Sequence, residues 1–367
     1  MAANFFCLGL IIGSWAPHIP FVARELAVSK DVLGLILLGL AAGAVIAMPI
    51  AGMLAQRFGS AVILRTTSIA FCLAIVPPIL GSSITTVTVA LIMFGASTGA
   101  MDVAMNTHGV TVEKTLGRPV MSFFHGCFSV GGMVGAGLGI WALGAVGEIA
   151  HVVAVALIGL GLVVLANLRL LPNNSDRGRG DGHFALPRLA TLGLGALCFV
   201  ALMIEGAILD WSAIHLIETH AIAGHLAGFG FALFSGAMAL ARFTGDRLRA
   251  AIGAVRMIRG SAAATAAGLV LATLAPSFML ALLGYLLMGL AIGNIAPVLF
   301  AKGAETEPHA PGHGIAAVTT LGYAGFLVGP PMIGFLASVT SLTIALLVLA
   351  LGAAAVSLAA PLARRHR

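Results

Sequence analysis

The stretch LPNNSDRGRGDGHFALPR, residues 171–188, decides the organisation of this chain. Proline, asparagine, glycine and arginine crowd into it, the composition of a solvated linker. On either side the chain returns to long apolar runs. Toward the N-terminus, runs bounded by charges or Pro/Gly turns lie near 3–23, 32–55, 63–81, 86–108, 121–144 and 149–169. Toward the C-terminus they lie near 189–215, 226–242, 256–275, 279–301, 313–337 and 341–361. A membrane-spanning helix takes about 20 mostly apolar residues. The linker therefore separates an N-terminal six-helix half, 1–170, from a C-terminal half, 189–367.

Composition points the same way. Hydrophobic residues make up 60% of 367 positions, charged residues 9%, and the mean hydropathy is +1.08. A soluble domain carries roughly a quarter charged residues. The net charge of +6 and the pI near 9.7 do not indicate nucleic acid, because the basic residues lie scattered between apolar runs instead of gathering on one wet surface. Cys7, Cys72, Cys127 and Cys198 sit inside apolar segments without CxxC or metal spacing, so they read as buried small residues. No disulfide, metal or other cofactor is expected. Residues 1–25 lack a basic n-region and a clear cleavage site, so 3–23 is read as a first span. It begins without the usual cytoplasmic tail, as a late start codon would leave it.

Orientation follows from the charges. With the N-terminus inside, only Arg24 and Lys30 of the 19 Lys and Arg residues fall outside, as the positive-inside bias requires. Shifting the count by one helix destroys this split. The expectation is a multi-pass protein of a bacterial inner membrane with both termini cytoplasmic.

Sliding the chain against itself by 194 positions aligns VGGMVGAGLG from Val130 with AGFLVGPPMI from Ala324. Gly131 then meets Gly325 and Gly135 meets Gly329, while in the fourth and tenth helices Gly95 meets Gly289 and Gly99 meets Gly293. A residue required only by the shared scaffold should recur at its counterpart. Asp102 faces Ala296, Glu205 faces Ile11 and Asp210 faces Ala16, so these acids are not explained by the repeat. LAQRFG from Leu54 and LARFTGD from Leu240 read as a further pair, each ending a helix at the cytoplasmic face.

At LAQRFG the sequence resembles the major facilitator superfamily, whose signature in this loop is Gly-x-Leu-x-Asp-Arg-x-Gly. Gly52, Leu54, Arg57 and Gly59 match it, and Gln56 stands in place of the aspartate. The resemblance implies an all-α integral membrane protein of twelve transmembrane helices in two pseudo-symmetric six-helix bundles. GAMDVAMN, ending with Asp102 and Asn106, is similar to the Glu-x-x-x-Asn run of the fucose-proton symporter branch, and NIAPVLF from Asn294 resembles that branch too. DVAMN, GRPVMSFFHG and EGAILDWS look most like the YbjJ-like group. In the first helix, GSWAPHIP has Gly13 and Ala16 where the sugar branch carries Asn and Asp before its proline, so sugar specificity does not transfer.

An acid in mid-span costs on the order of 3 kcal/mol on insertion scales, so each asks for a partner, a cavity or a function. Asp102 shares one helical face with Gly95, Gly99 and Asn106. It is a candidate proton site, or else a hydrogen-bonding partner of Asn106, His108 or His125. Glu205 lies midway along the seventh helix. No basic residue is placed at mid-depth in any other span, which favours a protonated or water-facing acid over a salt bridge. That makes Glu205 the leading proton or substrate ligand. Asp210, turned roughly 140° from Glu205, reads as an outer gate or loop anchor more than as a substrate contact.

Trp15, Asn106, Asn294, Tyr323 and Trp211 are the candidate substrate contacts. Against that, Trp211 fits an interfacial aromatic belt, Trp15 could simply pack, and Asn294 and Tyr323 could bond between helices. Arg57, Asp210, His125 and Arg242 are the gating candidates, with His125 also a possible proton relay or an interface histidine. His215, His220 and His225 are expected in solvent. Pro17, Pro20, Pro297, Pro330 and Pro331 should bend their helices.

These readings converge on secondary active transport of a small solute by a monomer, with two halves rocking about a site on helices one, four, seven and ten. Proton coupling would run through Glu205 or Asp102. No Walker loop is present to bind ATP. The absence of HExxH and GxSxG motifs argues against an enzyme. The alternatives are proton-driven export of amphipathic compounds and a solute sensor on the same fold, the latter weakened by the lack of a sizeable cytoplasmic domain.

Overall fold

The computed structural model describes residues 1–118, 120–172, 189–306 and 311–363. Most of the expected linker, residues 173–188, lies outside the described residues. Among the described residues, twelve helices are long and apolar enough to cross a membrane. They are α1 (Ala2–Glu25), α2 (Lys30–Phe58), α3 (Ser60–Leu80), α4 (Ile84–Leu116), α5 (Met121–Ala145), α6 (Glu148–Asn167), α7 (Thr191–His220), α8 (Gly224–Ile252), α9 (Ala254–Leu274), α10 (Phe278–Thr306), α11 (His313–Val339) and α12 (Leu342–Ala363). Large apolar side chains such as Leu165, Trp141, Leu351 and Leu358 stand exposed around the bundle, as they must where the surrounding medium is hydrocarbon. Both ends of the described chain lie on one face, here the terminal face; the opposite one is the far face.

Hydropathy marks where a chain leaves the membrane, whereas a helix ends where its backbone is stopped. This distinction accounts for the two largest departures from expectation. α4 continues past residue 108 to a left-handed Gly117 (φ +65°), and α8 continues past 242 to Gly253 (φ +81°). Glycine at such a position closes a helix without a Cβ clash. Gly253 stands 194 positions after Gly59, the positive-φ glycine that ends α2. The true counterpart of the LAQRFG turn is therefore Gly253. LARFTGD lies within α8, and Arg242 is ten residues short of the helix end, about 15 Å. Ser83 and Ser277, also 194 apart, both cap the helix that follows by accepting a backbone N–H.

The repeated glycines explain the packing. A Cβ on Gly95 of α4 would overlap the Leu40 carbonyl of α2, and one on Gly289 of α10 would overlap the Phe234 carbonyl of α8. Gly131 of α5 meets the Phe6 carbonyl of α1, while Gly325 of α11 meets that of Phe199 in α7. This last pair sets the α1–α7 register at 193, so the counterparts of Glu205 and Asp210 are Ile12 and Pro17, one position from the expected Ile11 and Ala16. Neither counterpart is an acid, and the argument from non-repetition stands.

Across the halves α5 packs along α8 and α2 along α11, while α7 meets the far part of α1. α1 is interrupted by a tight turn at Ala16–His18 beside Pro17, and α10 is broken at Gly293 and Asn294, just before Pro297. Pro330 and Pro331 lie inside α11 without ending it.

Candidate functional site

Glu205 is held at the middle of α7, with α8 beside it. Because α8 continues well beyond residue 242, the Arg242 side chain lies within the bundle, where its Nη2 reaches Glu205 Oε1 at 3.4 Å. The two side chains are only 10% and 18% exposed. This ion pair overturns the expectation that no basic residue lies at mid-depth. The long arginine stem was assigned to a surface that the helix does not reach until ten residues later.

The guanidinium is committed on several sides. Its Nη1 donates to Ser129 Oγ of α5 at 2.8 Å, its Nε donates to the Gly293 carbonyl at 3.4 Å, and the group lies 5.9 Å from the centre of the Phe128 ring. Ser235 of α8 in turn donates to the Ser129 carbonyl at 2.8 Å. The Gly293 carbonyl is available because α10 breaks there, and Asn294 secures the break by donating to the Ala241 carbonyl at 2.8 Å. Asn294 is buried and thus makes the interhelical bond that was one of its two expected roles. Glu205, Arg242, Ser129 and Gly293 tie α7, α8, α5 and α10 together across the two halves.

A second cluster surrounds Asp102. Asn106, one turn further along α4, donates to Asp102 Oδ1 at 2.9 Å, and the Tyr323 hydroxyl of α11 donates to Oδ2 at 3.3 Å. The Asp102–Asn106 bond is one of the partnerships expected from the sequence, Tyr323 joins them in one unit, and its bond crosses between the halves. All the donors here are neutral.

The remaining candidates are dispersed. Trp211 is fully buried, nine residues short of the end of α7, and does not belong to an interfacial belt; the exposed tryptophan is Trp141. Trp15 is also fully buried and meets Phe94 edge-on, with ring centroids 6.4 Å apart. His125 lies one turn before Ser129 and packs edge-on against Phe5 at 5.2 Å. Arg57 is exposed over the Phe58 ring. Asp210 is buried without a hydrogen bond or ion pair among the described residues. His215, expected in solvent, is buried and shares a hydrogen bond with Tyr285 at 3.1 Å.

Sequence reasoning passed over three features. Ser129 was an unremarked serine in a glycine-rich helix. His18 and His151 form a buried pair with ring nitrogens 2.9 Å apart, joining the break in α1 to α6. On the far face, Lys30 of α2 pairs with Glu218 of α7 at 3.0 Å, linking the halves.

A twelve-helix bundle with polar clusters buried at mid-membrane between two glycine-packed halves has the architecture of a membrane transporter. The family model of the Major Facilitator Superfamily matches residues 1–203, and the chain belongs to that superfamily. An uncharacterized MFS-type transporter of Yersinia pestis is 38% identical over 347 residues, covering 93% of this chain and 89% of the relative. Among solved structures, a point mutant of the nucleoside transporter NupG superposes with a TM-score of 0.76 at 14% identity, covering 99% of this chain and 98% of the other. A point mutant of the E. coli fucose:proton symporter FucP gives 0.68 at 16% identity, covering 100% and 98%. The likeness to these two structures is one of fold. The protein is a multi-pass membrane transporter of this superfamily.

Proposed function

We propose that this chain is a proton-coupled secondary transporter that carries a small solute by alternating access of its halves, 1–170 and 189–367, joined by the linker 171–188. The observation that carries the reading is that both mid-membrane acids sit in clusters bonded across the halves: Asp102 through Tyr323, and Glu205 through Arg242 and Ser129. A ligand shifts a conformational equilibrium only by interacting differently with the two states. A proton or solute that rearranges these bonds does so.

The two acids take different parts in this scheme. Asp102 accepts only neutral donors, so taking up a proton there breaks no ion pair. Glu205 has a guanidinium counter-charge, and protonating it would strand Arg242. Asp102 is therefore the proton carrier, and Glu205 with Arg242 faces the solute. The charge split supports a reading with both termini in the cytoplasm of a bacterial inner membrane, in which the far face is the outside. There the Lys30–Glu218 pair holds the halves together. A monomer contains all of these groups. Protons are the coupling ion in one protein of the same fold, the fucose:proton symporter.

The test uses proteoliposomes with an imposed pH gradient and a solute selected by thermal-shift screening. Asp102→Asn should retain solute exchange at equal concentrations and lose gradient-driven accumulation. Accumulation at the wild-type level would rule out Asp102 as the coupling site.

A further inference from the structure

Asp210 belongs to neither cluster. It is 8% exposed, and no described residue donates a hydrogen bond to it or pairs with it. It lies ten residues from the far end of α7, about 15 Å in. Ile214 and Ile217 follow it at the spacing of one helical face, and both line a cavity of about 370 Å³ at the far face. Phe21 and Arg24 of α1, Lys30 of α2 and Glu218 of α7 are also in its wall. Asp210 thus sits on the cavity-facing side of α7, one turn or roughly 6 Å deeper than Ile214.

The lysine and the arginine in that wall each have an acidic partner. Arg24 pairs with Glu148 at 3.8 Å and Lys30 with Glu218 at 3.0 Å. His18 on α1 is bonded to His151, His215 on α7 to Tyr285 of α10, and His225 opens α8. α11 from Gly325 to Val339 contributes no titratable side chain. His220, ten residues further along α7, packs edge-on against Phe278, and among the described residues no ion pair or hydrogen bond reaches Asp210; a buried carboxylate without a counter-charge or donors is strongly disfavoured.

The geometry points to Asp210 as a proton-binding site loaded from the far face, through the cavity beneath the Lys30–Glu218 bridge. One carboxylate oxygen takes its proton from a hydronium ion delivered through water in that cavity, and the water molecule left behind returns to the far face. Parting of the halves breaks the bridge and admits the water. This rests on the proton-coupled reading above and adds to it a second proton station, further toward the far face than Asp102.

The site can be tested without a known solute, by infrared spectroscopy of the full-length protein in lipid vesicles at pH 7, read at the carbonyl stretch of protonated carboxyl groups. Wild type and Asp102→Asn should both show a band that Asp210→Asn lacks. Asp210→Glu should restore it at a shifted frequency, which separates a lost proton site from a misfolded variant. Identical spectra for wild type and Asp210→Asn would overturn the assignment. Lys30→Ala should speed the deuterium shift of this band several-fold when D2O is added at the far face, and an unchanged rate would overturn the route. If the band behaves as stated while Asp102→Asn keeps full gradient-driven accumulation, it is the coupling assignment that fails and this site that stands.

Discussion

Asp102 and Glu205 are alike in type, depth and burial, yet they are solvated in opposite ways. Asp102 receives an amide and a phenol, at 2.9 and 3.3 Å. Glu205 receives a guanidinium at 3.4 Å that is itself held by Ser129 and Gly293. Neutral donors serve a carboxylate and leave it free to accept a proton, since no counter-charge is abandoned. A guanidinium binds the carboxylate as an ion and suffers if that ion is neutralised. The difference teaches that an acid within a span does not have one meaning: its partner decides whether it carries protons or holds charge.

The comparison breaks most visibly at Arg242. Replacing it by Gln leaves Glu205 as an uncompensated charge, and removing one member of a buried pair costs about 3 kcal/mol or more. Thermal unfolding of the detergent-solubilised protein should show this loss, and the double variant Glu205→Gln/Arg242→Gln should recover part of it. If the double variant is no more stable than Arg242→Gln alone, the two side chains are not coupled. Ser129→Ala removes a 2.8 Å bond to the same guanidinium. Hydrogen bonds to charged groups contribute roughly 1.5 kcal/mol or more, so this variant should lose about half as much, with no rescue from Glu205→Gln.

Much of this was legible in the sequence. Spanning length, the charge split and the repeated glycines specify twelve helices in two halves because hydrocarbon imposes strict length and polarity on every segment. Asp102, Asn106, Glu205 and Tyr323 were identifiable as polar residues in apolar surroundings. The four-residue spacing of Asp102 and Asn106 also offered their bond, but the partners on other helices were not legible. Tyr323 reaches Asp102 only because α11 packs along α2, which itself packs on α4, a contact between distant parts of the chain with no local pattern. Arg242 was misplaced for a different reason: hydropathy dips at LARFTGD, but the helix does not stop until Gly253. The repeat contained the correction, because Gly253 stands where Gly59 does. Trp211 was misjudged in the same manner, since α7 outlasts its most apolar stretch.

The smallest stability change sharpens the comparison furthest. Tyr323→Phe removes one long hydrogen bond of 3.3 Å, and interhelical bonds in membrane proteins average about 0.6 kcal/mol. Unfolding should therefore barely register it. Asp102→Asn keeps an acceptor for Tyr323 and should be just as mild. Their transport phenotypes should nevertheless diverge. Tyr323→Phe still has a carboxyl that can gain and lose a proton, so gradient-driven accumulation should persist with an altered pH dependence. Asp102→Asn has nothing to titrate and should exchange solute without accumulating it. Equal phenotypes in the two variants would mean that the hydrogen bond between α4 and α11 matters, and not the proton. Asp102 would then be structural, and the contrast with Glu205 would lose its functional content.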